Sequence, residues 1–80
     1  MYYAYIIRSQ KTKRYYIGST NDIDRRLQEH NSNNTESLIN KGPYFLVHKE
    51  EFVTKNEAIK RERQIKSYKG GNAFKKLILV

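Results

Sequence analysis

Five side chains of this 80-residue protein have the types and spacing for reaction chemistry: Glu62, Arg26, His30, Tyr5 and Tyr16. Cleaving a phosphodiester needs a divalent metal to polarise the phosphate or the leaving oxygen, a group that activates water, and cations that hold the phosphate. Glu62 lies four residues after Ala58 and three before Ile65, so on a helix it shares a face with apolar residues. A lone carboxylate there is costly to bury, and a bound Mg²⁺, which takes oxygen ligands and keeps several waters, would explain it. The ordinary alternative is a rim glutamate paired with Arg61, Arg63 or Lys66, and for Glu62 alone it is the commoner case. Arg26 and His30 stand four apart and so share one helix face. The guanidinium fork suits phosphate oxygens, and the imidazole can shuttle a proton near neutral pH. For an isolated pair, a solvated arginine and a histidine favoured by the helix dipole is the simpler account. Tyr5 and Tyr16 fall on neighbouring strands. A suitable register puts both hydroxyls on one side, where they could orient water, or accept a proton once their pKa is strongly depressed from about 10. Two core tyrosines would look the same. His48 shows no partner and reads as structural or surface.

The elements that must position these groups follow from local pattern. Tyr2–Ser9 is aromatic and β-branched and predicts a strand; residues 10–14 are polar and predict a turn; residues 15–18 resume strand character. This is an antiparallel hairpin without a Gly or Asn-Gly turn. A helix follows, with Ser19 or Thr20 as cap, Asp22 and Asp24 in its first turn, and Ile23, Leu27 and His30 at helical spacing. Residues 31–42 are rich in Asn and Ser, with Gly42-Pro43 punctuating them, and predict mainly loop. Tyr44–Phe52 predicts a third strand. Thr54-Lys55-Asn56-Glu57 is a capping box opening a second helix, whose stripe is Ala58, Ile59, Ile65 and Tyr68 and whose end is Gly70-Gly71. A short helix over residues 73–79 closes the chain, with Phe74, Leu77 and Ile78 facing inward. The order β-β-α-β-α-α predicts an α+β fold, a three-stranded antiparallel sheet packed with helices.

Composition narrows the partners. A chain this short predicts one domain over residues 1–80. Sixteen Lys and Arg against eight Asp and Glu give a formal charge of +8, which attracts polyanions, nucleic acid foremost; solubility charge or an acidic membrane surface would also account for it. There is no cysteine, excluding disulfides and thiolate metal sites. No apolar run approaches the roughly 20 residues of a membrane span, and the N-terminus is too short and aromatic for a signal peptide, so the expectation is a cytoplasmic protein with no membrane contact. Asn33-Asn34-Thr35 matches a glycosylation acceptor pattern, read as chance. There is no Gly-rich phosphate loop, no His-Glu-x-x-His motif and no serine elbow.

Taken in order, three motifs carry a resemblance. Tyr3-Ala4-Tyr5, ten residues, then Tyr16-Ile17-Gly18 resembles the two halves of the GIY-YIG nuclease signature. Residues 15–30 resemble that family's first helix region, and residues 57–66 resemble the segment that carries its metal-binding glutamate. The likeness spans nearly the whole chain and is greatest to small stand-alone members related to the N-terminal nuclease domain of excinuclease ABC. It implies that Tyr5 and Tyr16 are the signature tyrosines, one of them helping to activate water. Gly18 is the signature glycine, where a side chain could obstruct the site. Arg26 contacts phosphate, His30 matches a histidine found in many members, and Glu62 is the sole acidic ligand of Mg²⁺ or Mn²⁺. Tyr3 and Ala4 replace the first glycine and isoleucine of the signature, positions that are mainly structural. Asn72 is a candidate counterpart of an asparagine found near the site, and the Asn-rich loop departs from a Gly- and Arg-rich one.

The expected function is metal-dependent DNA endonuclease activity, structure-selective or weakly sequence-selective, in repair or recombination. No zinc finger, helix-turn-helix or added DNA-binding domain is visible, so sharp sequence specificity would need a protein partner. The alternative is a basic nucleic-acid-binding module that keeps the fold without turnover.

Overall fold

The computed structural model describes residues 1–31 and 43–78. The expected loop, apart from its first residue Asn31, the Asn-Asn-Thr pattern within it and Leu79 fall outside the described residues. The order of elements is β1 (Tyr2–Ser9), β2 (Tyr15–Thr20), α1 (Ile23–Asn31), β3 (Tyr44–Phe52), α2 (Lys55–Ser67) and α3 (Asn72–Ile78). The strands form a three-stranded antiparallel sheet in the order β2-β1-β3, an α+β fold as its sequence predicts. No helix among the described residues is long and apolar enough to cross a membrane.

β1 is the central strand, and its continuous burial shows it. Ala4, Tyr5, Ile6 and Ile7 are all buried, so both faces of the strand are covered. On one face Tyr5, Ile7 and Tyr44 pack with Tyr16, Ile23, Leu27 and Leu46, which seats α1. On the other, Ile6, Ile65 and Phe74 pack with Tyr15, Ile17, Val47 and Tyr68, which seats α2 and α3. The β1–β3 register slips between Ile6 and Ile7, leaving Val47 without an opposite residue, as at a β-bulge.

Local rules hold where local chemistry decides. Thr54 caps α2: its hydroxyl accepts from the Glu57 backbone N–H at 3.3 Å and donates to the Glu57 carboxylate at 3.0 Å. The helix ends through Lys69 and Gly70 at positive φ, 50° and 79°, the left-handed turn that glycine favours. The cap of α1 differs from expectation. β2 runs on to Thr20, which pairs with Tyr3, so Ser19 and Thr20 belong to the sheet. Asp22 caps instead, its carboxylate accepting from the Arg25 backbone N–H at 3.1 Å, while the Thr20 hydroxyl accepts from the Asp22 N–H at 3.1 Å.

The hairpin closes without glycine because Lys13 takes φ 64°, its N–H donating to the Ser9 carbonyl at 2.9 Å. A side chain there is strained. Lys13→Gly should therefore raise stability by about 0.5–1 kcal/mol, read as a higher midpoint in urea unfolding.

Candidate active site

The site begins with a residue of the central strand that reaches the sheet edge. Tyr5 pairs directly with Gly18 across the β1–β2 ladder, and cross-strand partners share a face. A Cβ built on Gly18 would lie 2.6 Å from the Tyr5 hydroxyl and 2.8 Å from Cζ. The Tyr5 ring thus lies across the bare Gly18 backbone, carrying its hydroxyl over β2, the edge strand.

α1 meets that hydroxyl from one side. Its inward face carries Ile23, Leu27 and His30, and His30 is buried. The Tyr5 hydroxyl lies 3.4 Å from His30 Nε2, and the Arg26 guanidinium, four residues earlier on the same face, is within hydrogen-bonding reach of the same oxygen. Arg26 also donates to Glu29 at 3.0 Å. The end of α1 is tied down by Asn31, whose amide donates to the Tyr44 carbonyl at 3.1 Å and accepts from the Tyr44 N–H at 2.6 Å. That clamp joins α1 to the start of β3 and holds His30 beside Tyr44, with ring centroids 5.9 Å apart.

α2 brings Glu62 from the other side of the edge. Its carboxylate charge acts on the Tyr5 hydroxyl, so the two share one neighbourhood. The Glu62 side chain is 18% exposed, and Lys66 Nζ sits 2.7 Å from its Oε2; the ordinary pairing weighed from the sequence is thus formed with Lys66. Arg61 is committed elsewhere. Its Nε donates to both Glu50 oxygens, at 3.0 and 3.1 Å, and Glu50 also meets His48 Nε2 at 2.9 Å. His48, which reads from sequence as partnerless, is therefore part of an ion-pair network tying α2 to β3. Burial pushes the Glu50 carboxyl up, but the hydrogen bonds from His48 and Arg61 outweigh it and hold its pKa below the ordinary value.

Tyr16 shares the face of Tyr5 but packs edge-on against Tyr44, with centroids 5.5 Å apart. The Tyr44 hydroxyl is buried, and burial together with the neighbouring Tyr16 phenol pushes its pKa up to about 12. Asn72 opens α3 as an exposed residue. Glu29, Asn31, Tyr44 and Lys66 emerge here as site neighbours; only Lys66 has a local signal, its i,i+4 spacing from Glu62.

The electrostatics assign protonation states. Burial raises the Tyr5 pKa above its ordinary value, while Arg26 opposes the rise, so Tyr5 is a neutral hydroxyl and not a phenolate. Burial and then the Arg26 charge lower the His30 pKa, keeping the imidazole neutral at pH 7. A histidine held neutral binds fewer protons than in the unfolded chain, so stability falls as pH drops from about 6.5 through the lowered folded value. His30→Gln should flatten the change in melting temperature between about pH 7.5 and pH 5.5; equal slopes for both proteins would contradict the burial argument.

A divalent cation would find one carboxylate here. Among the described residues no group of three or more His, Cys, Asp or Glu could hold a metal ion. Glu62 would be the protein ligand, with water and substrate oxygens completing the shell, a donor set that Mg²⁺ accepts.

Known proteins agree with this geometry. Residues 1–75 match the model of the GIY-YIG catalytic domain. A UPF0213 protein of Haloquadratum walsbyi is 38% identical over 68 residues, covering 84% of this chain and 75% of that one. A UPF0213 protein of Staphylococcus saprophyticus is 37% identical over 68 residues, covering 84% and 82%. The solution NMR structure of a UPF0213 protein from Bacillus halodurans is 31% identical, covers 91% of this chain and 90% of that one, and superposes with a TM-score of 0.49. A family match over this extent, with relatives at this identity, makes the chain a member of the GIY-YIG family, a nuclease superfamily whose members bind DNA and generally use divalent metals.

Proposed function

We propose that this protein is a metal-dependent endonuclease that hydrolyses DNA phosphodiester bonds, with Glu62 as the ligand of Mg²⁺ or Mn²⁺. The observation that carries the reading is a single hydroxyl, that of Tyr5, reached by Arg26, His30 and the charge of Glu62.

Arg26 engages the non-bridging oxygens of the scissile phosphate, its fork matching them and its charge offsetting the negative charge of the transition state. A metal on Glu62 would supply Lewis-acid polarisation of the phosphate and of water. The raised pKa of Tyr5 excludes a stored phenolate, so its hydroxyl works as a relay. As water attacks phosphorus and the bond to the leaving oxygen breaks, one water proton passes to the Tyr5 oxygen and the Tyr5 proton passes to His30 Nε2. Tyr5 ends neutral, and His30, kept neutral by burial, ends as imidazolium. The 3.4 Å contact is long, as such contacts often are before substrate binds.

Substrate choice rests on structure or weak sequence preference, with repair or recombination as the setting and a protein partner as the source of any sharper specificity. One observation favours a second reading. The Lys66 ammonium already neutralises Glu62, which would suit a basic binding module without turnover. A magnesium titration of nicking on plasmid, flap and junction DNA, with Glu62→Ala beside it, separates the two. Magnesium-dependent nicking lost in the variant supports the nuclease; salt-sensitive binding with no nicking supports the binder.

A further inference from the structure

Two cavities flank Glu62 along the same edge of the fold. The first, about 310 Å³, is lined by Tyr2, Ser19, Thr20, Asn21, Lys55 and Ala58. The second, about 320 Å³, has Arg14, Tyr15, Ile17, Lys66, Lys69 and Phe74 among its walls. Both are of a size that holds a small ligand. The end of β2 faces the start of α2 in the first, and the start of β2 faces the end of α2 in the second, so strand and helix run antiparallel along one track. On the helix, Ala58, Glu62 and Lys66 are four residues apart and share a face, which spaces first cavity, carboxylate and second cavity by about 6 Å each. On the strand, Gly18 lies between Ser19 and Ile17, and over Gly18 passes the Tyr5 hydroxyl.

The walls have a common chemistry. Each cavity has an aromatic surface, Tyr2 in one and Tyr15 with Phe74 in the other, beside a cation, Lys55 in one and Arg14, Lys66 and Lys69 in the other. Aromatic faces beside a positive track suit successive unpaired bases and their phosphates. A base inside a duplex already stacks on its neighbours and has no free face to offer.

We propose that the β2–α2 edge is a binding track for one DNA strand unpaired on both sides of the scissile phosphate, with the flanking nucleotides seated in these two cavities. The inference rests on the nuclease reading for the position of the cut, and it names the substrate class: a flap, gap or single strand in preference to intact duplex. The same track explains the Lys66–Glu62 contact, since Lys66 belongs to the second cavity and becomes a phosphate contact there.

The test is fluorescence anisotropy, without added divalent metal, using single-stranded, flapped and blunt duplex oligonucleotides of equal length. The wild-type protein should bind the single strand and flap at least about fivefold more tightly than the duplex. Tyr2→Leu should weaken single-strand binding by roughly tenfold while Tyr2→Phe, which keeps the ring, retains it. Lys55→Ala and Arg14→Ala should each lower the slope of log affinity against log salt by about 0.7. All four substitutions fall on half-buried or exposed residues, and circular dichroism verifies their folding. Duplex bound as tightly as single strand, or wild-type affinity in Tyr2→Leu, Lys55→Ala and Arg14→Ala, overturns the track, even if plasmid nicking upholds the nuclease. The expected binding losses without cleavage of any DNA would uphold the track and overturn the nuclease.

Discussion

Glu62→Ala is expected to lower the magnesium-dependent nicking rate by on the order of a thousandfold, because Lewis-acid stabilisation by a bound metal is worth several kcal/mol of barrier. DNA affinity should change little, since the cations of the surface remain and one acidic group is removed. Stability should stay within about 1 kcal/mol, because the Lys66 partner is 55% exposed and a pair of that kind contributes little. Parallel measurements of initial nicking rate, of binding without metal and of urea unfolding separate the three effects. Nicking at the wild-type rate by Glu62→Ala would remove the metal from the mechanism, while loss of folding would show that Glu62 is chiefly structural.

Gly18→Ala is expected to be nearly as damaging, though Gly18 has no chemistry of its own. The added methyl would sit 2.6 Å from the Tyr5 hydroxyl, 2.8 Å from Cζ and 3.1 Å from Cε1. Tyr5 is only 5% exposed and packs with Ile7 and Tyr44, so the ring has little room to retreat. Overpacking of this kind costs about 1–3 kcal/mol. Displacing a catalytic hydroxyl by about 1 Å can cost roughly a hundredfold in rate. A Tyr5→Phe/Gly18→Ala protein lacks the closest of the clashing atoms and should regain part of the stability but none of the activity. If Gly18→Ala nicked DNA as fast as wild type, Tyr5 would not be placed by that glycine.

Both predictions depend on contacts between distant segments, and these are unevenly legible in the sequence. Thr54 and Glu57 declare the start of α2 because the capping box closes within four residues. The bounds of β3 are legible because Tyr44–Phe52 lies between a Gly-Pro pair and that cap. The cap of α1 is not: Ser19, Thr20 and Asp22 are locally equivalent oxygen acceptors, and pairing of Thr20 with Tyr3 decides among them. His48 reads as isolated because its partners, Glu50 and through it Arg61, are joined by the packing of α2 on β3.

The sequence by itself determined the order of elements, the positive charge, the set of reactive side chains and the shared helix face of Arg26 and His30, since each depends on composition or on periodicity over a few residues. Tertiary structure decided which of these groups meet. The two tyrosines, alike in sequence, are divided by their neighbours: Tyr5 lies across Gly18 toward Arg26, His30 and Glu62, while Tyr16 turns its edge to Tyr44. Protonation was decided there too, because burial raises the pKa of Tyr5 and lowers that of His30. Desolvation and cross-strand register are properties of the assembled sheet and helices, and no local window of residues contains them.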